Sequence, residues 1–107
     1  MKTKLKHPYN IFFGTLANQH RIEIMLLLLK GPNNINRMSN ALKIHQSTVS
    51  KNIKRLERCG FVHCRHDGKE TVCSLNAKTI KPLIKLMHTH VNTYCKYLGG
   101  GHHGTHC

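Results

Sequence analysis

Acidic side chains are nearly missing from this 107-residue chain: Glu23, Glu57, Asp67 and Glu70 are the only four, against 17 Lys and Arg. That shortage excludes chemistry built on paired carboxylates, such as glycoside hydrolysis, and hard-cation sites for Mg²⁺ or Ca²⁺. An enzyme is not expected. Long apolar runs are also missing, since Ile24 to Leu29 is the longest and a membrane span needs about 20 residues. No export-signal pattern is present. Five cysteines, Cys59, Cys64, Cys73, Cys95 and Cys107, stand at irregular spacing and do not make a disulfide framework. The expectation is a cytoplasmic protein with free thiols.

What is present is a single domain's length of sequence, 39% hydrophobic, with a formal net charge of +13 when histidine is neutral. Such an excess answers a polyanion, because each Lys or Arg placed on a phosphate releases condensed counterions. The first eight residues, with Lys2, Lys4 and Lys6, read as a basic arm. Asn10 is expected to cap a short helix carrying Ile11, Phe12, Phe13 and Leu16. Asn18 caps a second helix over His20 to Lys30, apolar nearly all round and closed by Gly31-Pro32, which suits a central core position. Asn33-Asn34 opens a third helix that ends near Lys43. A fourth runs from about Ser47 to Arg58 and is closed by Gly60.

The short connection Ile44-His45-Gln46 makes helices three and four a helix-turn-helix. Runs from Phe61 to Arg65 and from Glu70 to Leu75 flank His66-Asp67-Gly68-Lys69, and Asp-Gly between β-rich runs signals a hairpin, the candidate wing. A terminal helix from about Thr79 to Leu98 bears the stripe Ile80, Leu83, Ile84, Met87, Val91, Tyr94 and Leu98, which suits a dimer interface. Residues 1–98 thus form a DNA-binding and dimerisation domain, and residues 99–107 a flexible Gly/His/Cys tail. The fold class is mainly α with a small β-hairpin, in the order helix-helix-helix-helix-strand-strand-helix.

Helix four is the most informative segment. At about 100° per residue, Val49, Ile53 and Leu56 share one face while Lys51, Lys54, Arg55 and Arg58 fall about 140–240° away from Val49. The plain alternative is a solvated basic face. Gln46, Ser47, Thr48 and Ser50 add short hydrogen-bonding groups at the helix start, as base edges in a major groove require.

These residues resemble the ArsR/SmtB winged-helix repressors. The resemblance is carried by Leu16-Ala17-Asn18-Gln19-His20-Arg21, by Gln46-Ser47-Thr48-Val49-Ser50-Lys51-Asn52-Ile53, and by Gly60-Phe61-Val62 through Arg65 to Leu75, about 60 of the 107 residues. His45 stands where the family usually has a Ser cap, so the helix would start later or be capped by Ser47. The resemblance implies a homodimer that binds an imperfect palindrome of double-stranded DNA and releases it on binding an inducer, often a metal ion. By position, Gln46, Ser47, Thr48, Ser50 and Lys51 would meet bases or nearby phosphates, and Lys54 and Arg55 would grip phosphate. Arg65, His66 and Lys69 of the wing would reach the backbone or a minor groove, while Asp67 and Gly68 shape the turn.

The family's inducer sites do not carry over. Its Cys-x-Cys near the third helix is replaced by Asn33-Asn34-Ile35-Asn36-Arg37, and of the terminal-helix zinc positions Ala77, Thr79, His90 and Thr93, only His90 is a ligand type. A different set is present: His88, His90 and Cys95, followed by His102, His103, His106 and Cys107. With no carboxylate after Glu70, imidazole and thiolate would select Ni²⁺, Zn²⁺, Co²⁺, Cd²⁺ or copper. His88 and Cys95 stand about 10.5 Å apart along a helix, so sharing one ion needs the tail or a partner chain. His88 also suits a plain interface role, and the tail an unstructured end. Cys64 and Cys73 share a face of the hairpin, with packing the simpler use. Tyr94-Cys95 resembles redox-sensing relatives, although their second-helix cysteine is absent. The expected function is a sequence-specific, metal-released repressor; a thiol-responsive or ligand-independent repressor and a charge-driven DNA-coating protein are the alternatives.

Overall fold

The computed structural model describes the backbone of residues 2–95 and the side chains from His7 onward. Two units meet at the junction of Asn76 and Ala77. The first contains α1 (Lys2–Leu16), α2 (Gln19–Leu28), β1 (Asn33–Asn34), α3 (Ile35–Leu42), α4 (Gln46–Arg58), β2 (Val62–Asp67) and β3 (Glu70–Leu75). The second contains α5 (Ile80–His90), which runs on into a π-helical turn over Val91–Cys95. No helix among the described residues is long and apolar enough to cross a membrane.

Side-chain caps set the helix starts. Asn18 Oδ1 accepts from the Arg21 amide at 3.0 Å, and Asn34 Oδ1 accepts from the Arg37 amide at 2.8 Å. At the amino end the structure corrects the expectation of a basic arm followed by a helix capped at Asn10. α1 starts at Lys2 and runs through Pro8, leaving Asn10 inside the helix. The proline ring already holds a helical φ, so the helix continues past it at the loss of one backbone bond.

α2 is the central helix, with Ile24 and Met25 fully buried and Leu28 nearly so. Around it lie Met38 of α3, Val49, Ile53 and Leu56 of α4, Phe61, and Val62, Cys73 and Leu75 of the sheet. Each large side chain removed from water in this way contributes about 1.5–3 kcal/mol.

The three strands run in the order β1-β3-β2, all antiparallel. β1 went unread in the sequence because two asparagines carry no strand pattern, yet Asn33 pairs with Cys73 and Asn34 with Val72. In the hairpin Asp67 pairs with Glu70, so the connecting turn is Gly68-Lys69 alone. This corrects the expected turn: Asp67 belongs to the ladder. Gly68 takes φ +67° at the first central position while Lys69 keeps a negative φ, the pattern that places Gly first in a two-residue hairpin turn.

The terminal helix was expected to stay α-helical to Leu98. Instead the α pattern ends at His90. Val91 and Thr93 are β-branched, which lowers the preference for regular helix there, and Asn92 Nδ2 donates to His88 Nε2 at 3.2 Å. Ile80 and Ile84 of the stripe are buried, whereas Val91 and Tyr94 are exposed, together with Leu86.

Candidate nucleic-acid interface

The turn between α3 and α4 is built on a left-handed residue. Lys43 has φ +57° and closes α3, while the Ile44 amide donates to the Ser39 carbonyl at 3.1 Å and Ser39 Oγ donates to the Ile44 carbonyl at 2.5 Å. Bonds in both directions between Ser39 and Ile44 fix where α4 leaves α3. α4 starts at Gln46, one residue earlier than expected, and neither His45 nor Ser47 provides a side-chain cap. The His45 carbonyl instead takes the Thr48 and Val49 amides, both at 3.0 Å.

α4 has the two faces that its sequence spacing predicts. Val49, Ile53 and Leu56 are at most 3% exposed, while Gln46, Ser47, Lys51, Lys54 and Arg58 are exposed and Thr48 and Ser50 half-exposed. Arg55 is half-buried, and its Nη2 donates to Thr15 Oγ1 of α1 at 3.1 Å. That bond turns its guanidinium toward α1.

Behind the exposed face, a polar network holds α4 on the first two helices. Arg21 donates through Nε to the Thr15 carbonyl at 2.7 Å, through Nη1 to Asn52 Oδ1 at 3.0 Å, and through Nη2 to the Gly14 carbonyl at 3.2 Å. Asn52, buried on α4, completes its pairing by donating from Nδ2 to the Thr48 carbonyl at 2.9 Å. Partial burial and the neighbouring Arg55 charge lower the Arg21 pKa, and three acceptors compensate the half-buried guanidinium. Sequence reading missed this role for Arg21 and Asn52, which no local spacing reveals.

In the wing, Arg65, His66 and Lys69 are exposed, and Thr71 Oγ1 lies 3.3 Å from His66 Nδ1. The structure brings wing and helix together around two hollows. One of about 430 Å³ is lined by Gln46 at the α4 start and Lys69 at the wing tip, together with Asn36 and Arg37 of α3. Another of about 220 Å³ is lined by Ser50 and Lys54 of α4 and His66 of the wing. Arg37 was overlooked in the sequence, although Ile35, Met38 and Leu42 turned inward already set it on the outer face. Asn34, besides capping α3, donates from Nδ2 to Glu70 Oε1 and so pairs the wing's one exposed glutamate.

The sulfur and imidazole groups are distributed differently. Among the described residues no three His, Cys, Asp or Glu side chains come together to hold a metal ion. His88 and His90 are exposed on α5, two positions apart on a helix and thus on different faces, and the His90 ring packs on Tyr94 with centroids 4.8 Å apart. Cys95 is disulfide-bonded, which corrects the free-thiol expectation there: a sulfur in a disulfide is no thiolate ligand. The proposed ligands His102, His103, His106 and Cys107 lie outside the described residues.

Cys59, Cys64 and Cys73 are free thiols. Cys64 and Cys73 face each other directly across β2 and β3, and burial pushes both thiols above the ordinary range. Cys59 at the α4 end is shifted down, chiefly by its hydrogen bond with Thr15, against a smaller opposing effect of burial and helped by Arg55 and Arg58.

Comparison with known proteins matches this geometry. Residues 18–63 match the arsR family of bacterial regulatory proteins. The chain is 27% identical over 86 residues to the transcriptional activator HlyU of Vibrio cholerae, an alignment covering 80% of this chain and 77% of that protein. It is 29% identical over 75 residues to a probable mercury resistance operon repressor of Streptomyces lividans, covering 70% and 60%. Among solved structures, a homodimeric winged helix-turn-helix DNA-binding domain from Mycobacterium bovis superposes with a TM-score of 0.80 at 23% identity, over 98% of this chain and 94% of that one. The relatives are transcriptional regulators rather than enzymes. A helix-turn-helix with an adjoining wing, together with this sequence match, identifies residues 18–63 as a helix-turn-helix domain of the arsR family of bacterial regulatory proteins.

Proposed function

We propose that this regulator is a cytoplasmic, homodimeric repressor that binds an imperfect palindrome in double-stranded DNA. The observation that carries the reading is the opposition of the two faces of α4. Its apolar face is sealed by Val49, Ile53 and Leu56, and its outer face carries cations beside the polar start Gln46-Ser47-Thr48-Ser50. In this reading Gln46, Ser47, Thr48, Ser50 and Lys51 meet base edges or adjoining phosphates in the major groove. Lys54, and Arg55 through its remaining donors, take phosphate. Arg65, His66 and Lys69 follow the backbone beside it. Exposed Leu86, Val91 and Tyr94 support dimerisation through the terminal helix, since apolar groups of that size favour a partner surface. The domain spans residues 1–98, and residues 99–107 act as an appendage. Gel-shift titration against the DNA upstream of its own gene tests the reading: binding should be at least about 10³-fold tighter than to random duplex at equal salt. Equal affinity for both would leave only a charge-driven coating protein.

Release by a signal is the finer part of the proposal. The mercury-resistance relative and the carboxylate-free carboxyl-terminal segment support a soft or borderline metal held by His88, His90, Cys95, His102, His103, His106 and Cys107. Metal binding then requires Cys95 to be reduced first. The disulfide at Cys95 favours a thiol-responsive reading in its own right. DNA affinity measured with and without reductant, and then with Ni²⁺, Zn²⁺, Cd²⁺ or Cu⁺ on the reduced protein, separates the two. Deleting residues 99–107 should abolish the metal response if the tail supplies ligands.

A further inference from the structure

Between α1 and the end of α4 lies a cleft of about 680 Å³ that shares only Arg55 with the residues proposed above to meet DNA. Its walls are apolar, formed by Pro8, Ile11 and Phe12 of α1 and by Phe61, whose ring packs on Phe12 with centroids 5.1 Å apart. Its polar side is cationic: Arg55 and Arg58 line it together with Cys59. The only ion pair among the described residues is His20 with Glu23, so neither guanidinium is met by a carboxylate. Two unneutralised guanidiniums facing an aromatic wall are complementary to a molecule that is anionic at one end and apolar at the other.

We propose that this cleft is an effector site for a small apolar anion, an aromatic or medium-chain carboxylate or sulfonate, with its acid group on Arg58 and Arg55 and its hydrocarbon against Phe12 and Phe61. Arg58 is free to turn toward such a ligand, being exposed. Arg55 reaches it by giving up or sharing the donor now spent on Thr15 Oγ1. Thr15 in turn donates to the Ile11 carbonyl at 2.7 Å and lies 3.4 Å from Cys59 Sγ. An acid group bound here therefore reorders the contacts that join α1 to α4. A consequent change in DNA affinity rests on the DNA-binding reading above; occupancy of the cleft does not.

The test uses the full reduced chain without DNA, with 1-anilinonaphthalene-8-sulfonate as the fluorescent probe and decanoate as competitor. The expected result is saturable binding that decanoate displaces. Arg58→Gln should weaken it at least about fivefold, Arg58→Lys should keep it within about threefold, and Lys81→Gln, on α5, should leave it unchanged. A second readout is independent of fluorescence: carbamidomethylation of Cys59 by iodoacetamide, followed by peptide mass spectrometry, should slow at least about fivefold at saturating decanoate, with Cys64 unaffected. Equal probe affinity in Arg58→Gln, or no protection of Cys59, overturns the site. So does a Cys59 that is unreactive in the ligand-free protein at high concentration and becomes reactive on dilution, because the cleft is then covered by a second copy of the chain.

Discussion

Arg21 Nη1 and Asn52 Oδ1 lie 3.0 Å apart, a side-chain hydrogen bond that spans 31 positions of sequence and joins α2 to α4. Asn52 is 7% exposed, so solvent has little access to replace a lost partner. Asn52→Ala removes one of the three acceptors around the Arg21 guanidinium and opens space beside it. Stability should fall by about 1–3 kcal/mol. Urea unfolding followed by circular dichroism checks this, and Arg21→Lys should show a loss of similar sign because an ammonium cannot serve three fixed acceptors.

Lys54 and Ser50 border the same hollow beside His66 and should still fail differently when changed. Lys54→Gln should weaken binding to all duplexes alike and reduce the slope of log affinity against log salt by about 0.9. Ser50→Ala should cost about 1–3 kcal/mol on the specific site and little on random DNA. Salt titrations of both variants on both duplexes measure the contrast.

Lys43 holds φ +57°, a region that costs a residue with a Cβ about 1–2 kcal/mol and glycine almost nothing. Part of that gain is offset by the greater freedom of glycine in the unfolded chain. Lys43→Gly should therefore raise stability by about 0.5–1 kcal/mol. The urea midpoint should rise with no change in the slope of the transition.

The thiols of Cys64 and Cys73 are shifted upward by burial, so folding holds their protons more tightly than the unfolded chain does. The stability this contributes is complete below the unfolded thiol value of about 8.5 and is lost as pH rises above it. Urea midpoints should fall as pH is raised above about 8.5. In Cys73→Ala the midpoint starts lower, and its further decline with pH should be shallower. Cys59, shifted down mainly by Thr15, should react with iodoacetamide at a lower pH than the other two free thiols.

Features that one turn of chain decides were legible in the sequence: the Asn18 and Asn34 caps, the inward Val49, Ile53 and Leu56, and the hairpin around Gly68. Each depends on a side chain meeting backbone within a few residues or on helical spacing alone. The register of the turn was displaced by one residue, because Asp-Gly and Gly-Lys both satisfy a positive φ somewhere in the turn. The start of α1 was misread because Pro8 has the same local signature at the first turn of a helix as within one. What could not be read is tertiary: Arg21 with Asn52, Arg55 with Thr15, and Arg37 beside Lys69 each join segments whose proximity only the folded chain decides. The candidate interface was thus named in its exposed residues and missed in the residues that hold it.

The two-residue strand at Asn33–Asn34 acts as a mechanical coupling. Asn34 caps α3, pairs in the sheet with Val72 and bonds Glu70 beside the wing's turn, so a displacement of the wing pulls on the start of α3. A signal that moves the wing is therefore felt at the first turn of α3, and one that moves α3 is felt at the wing.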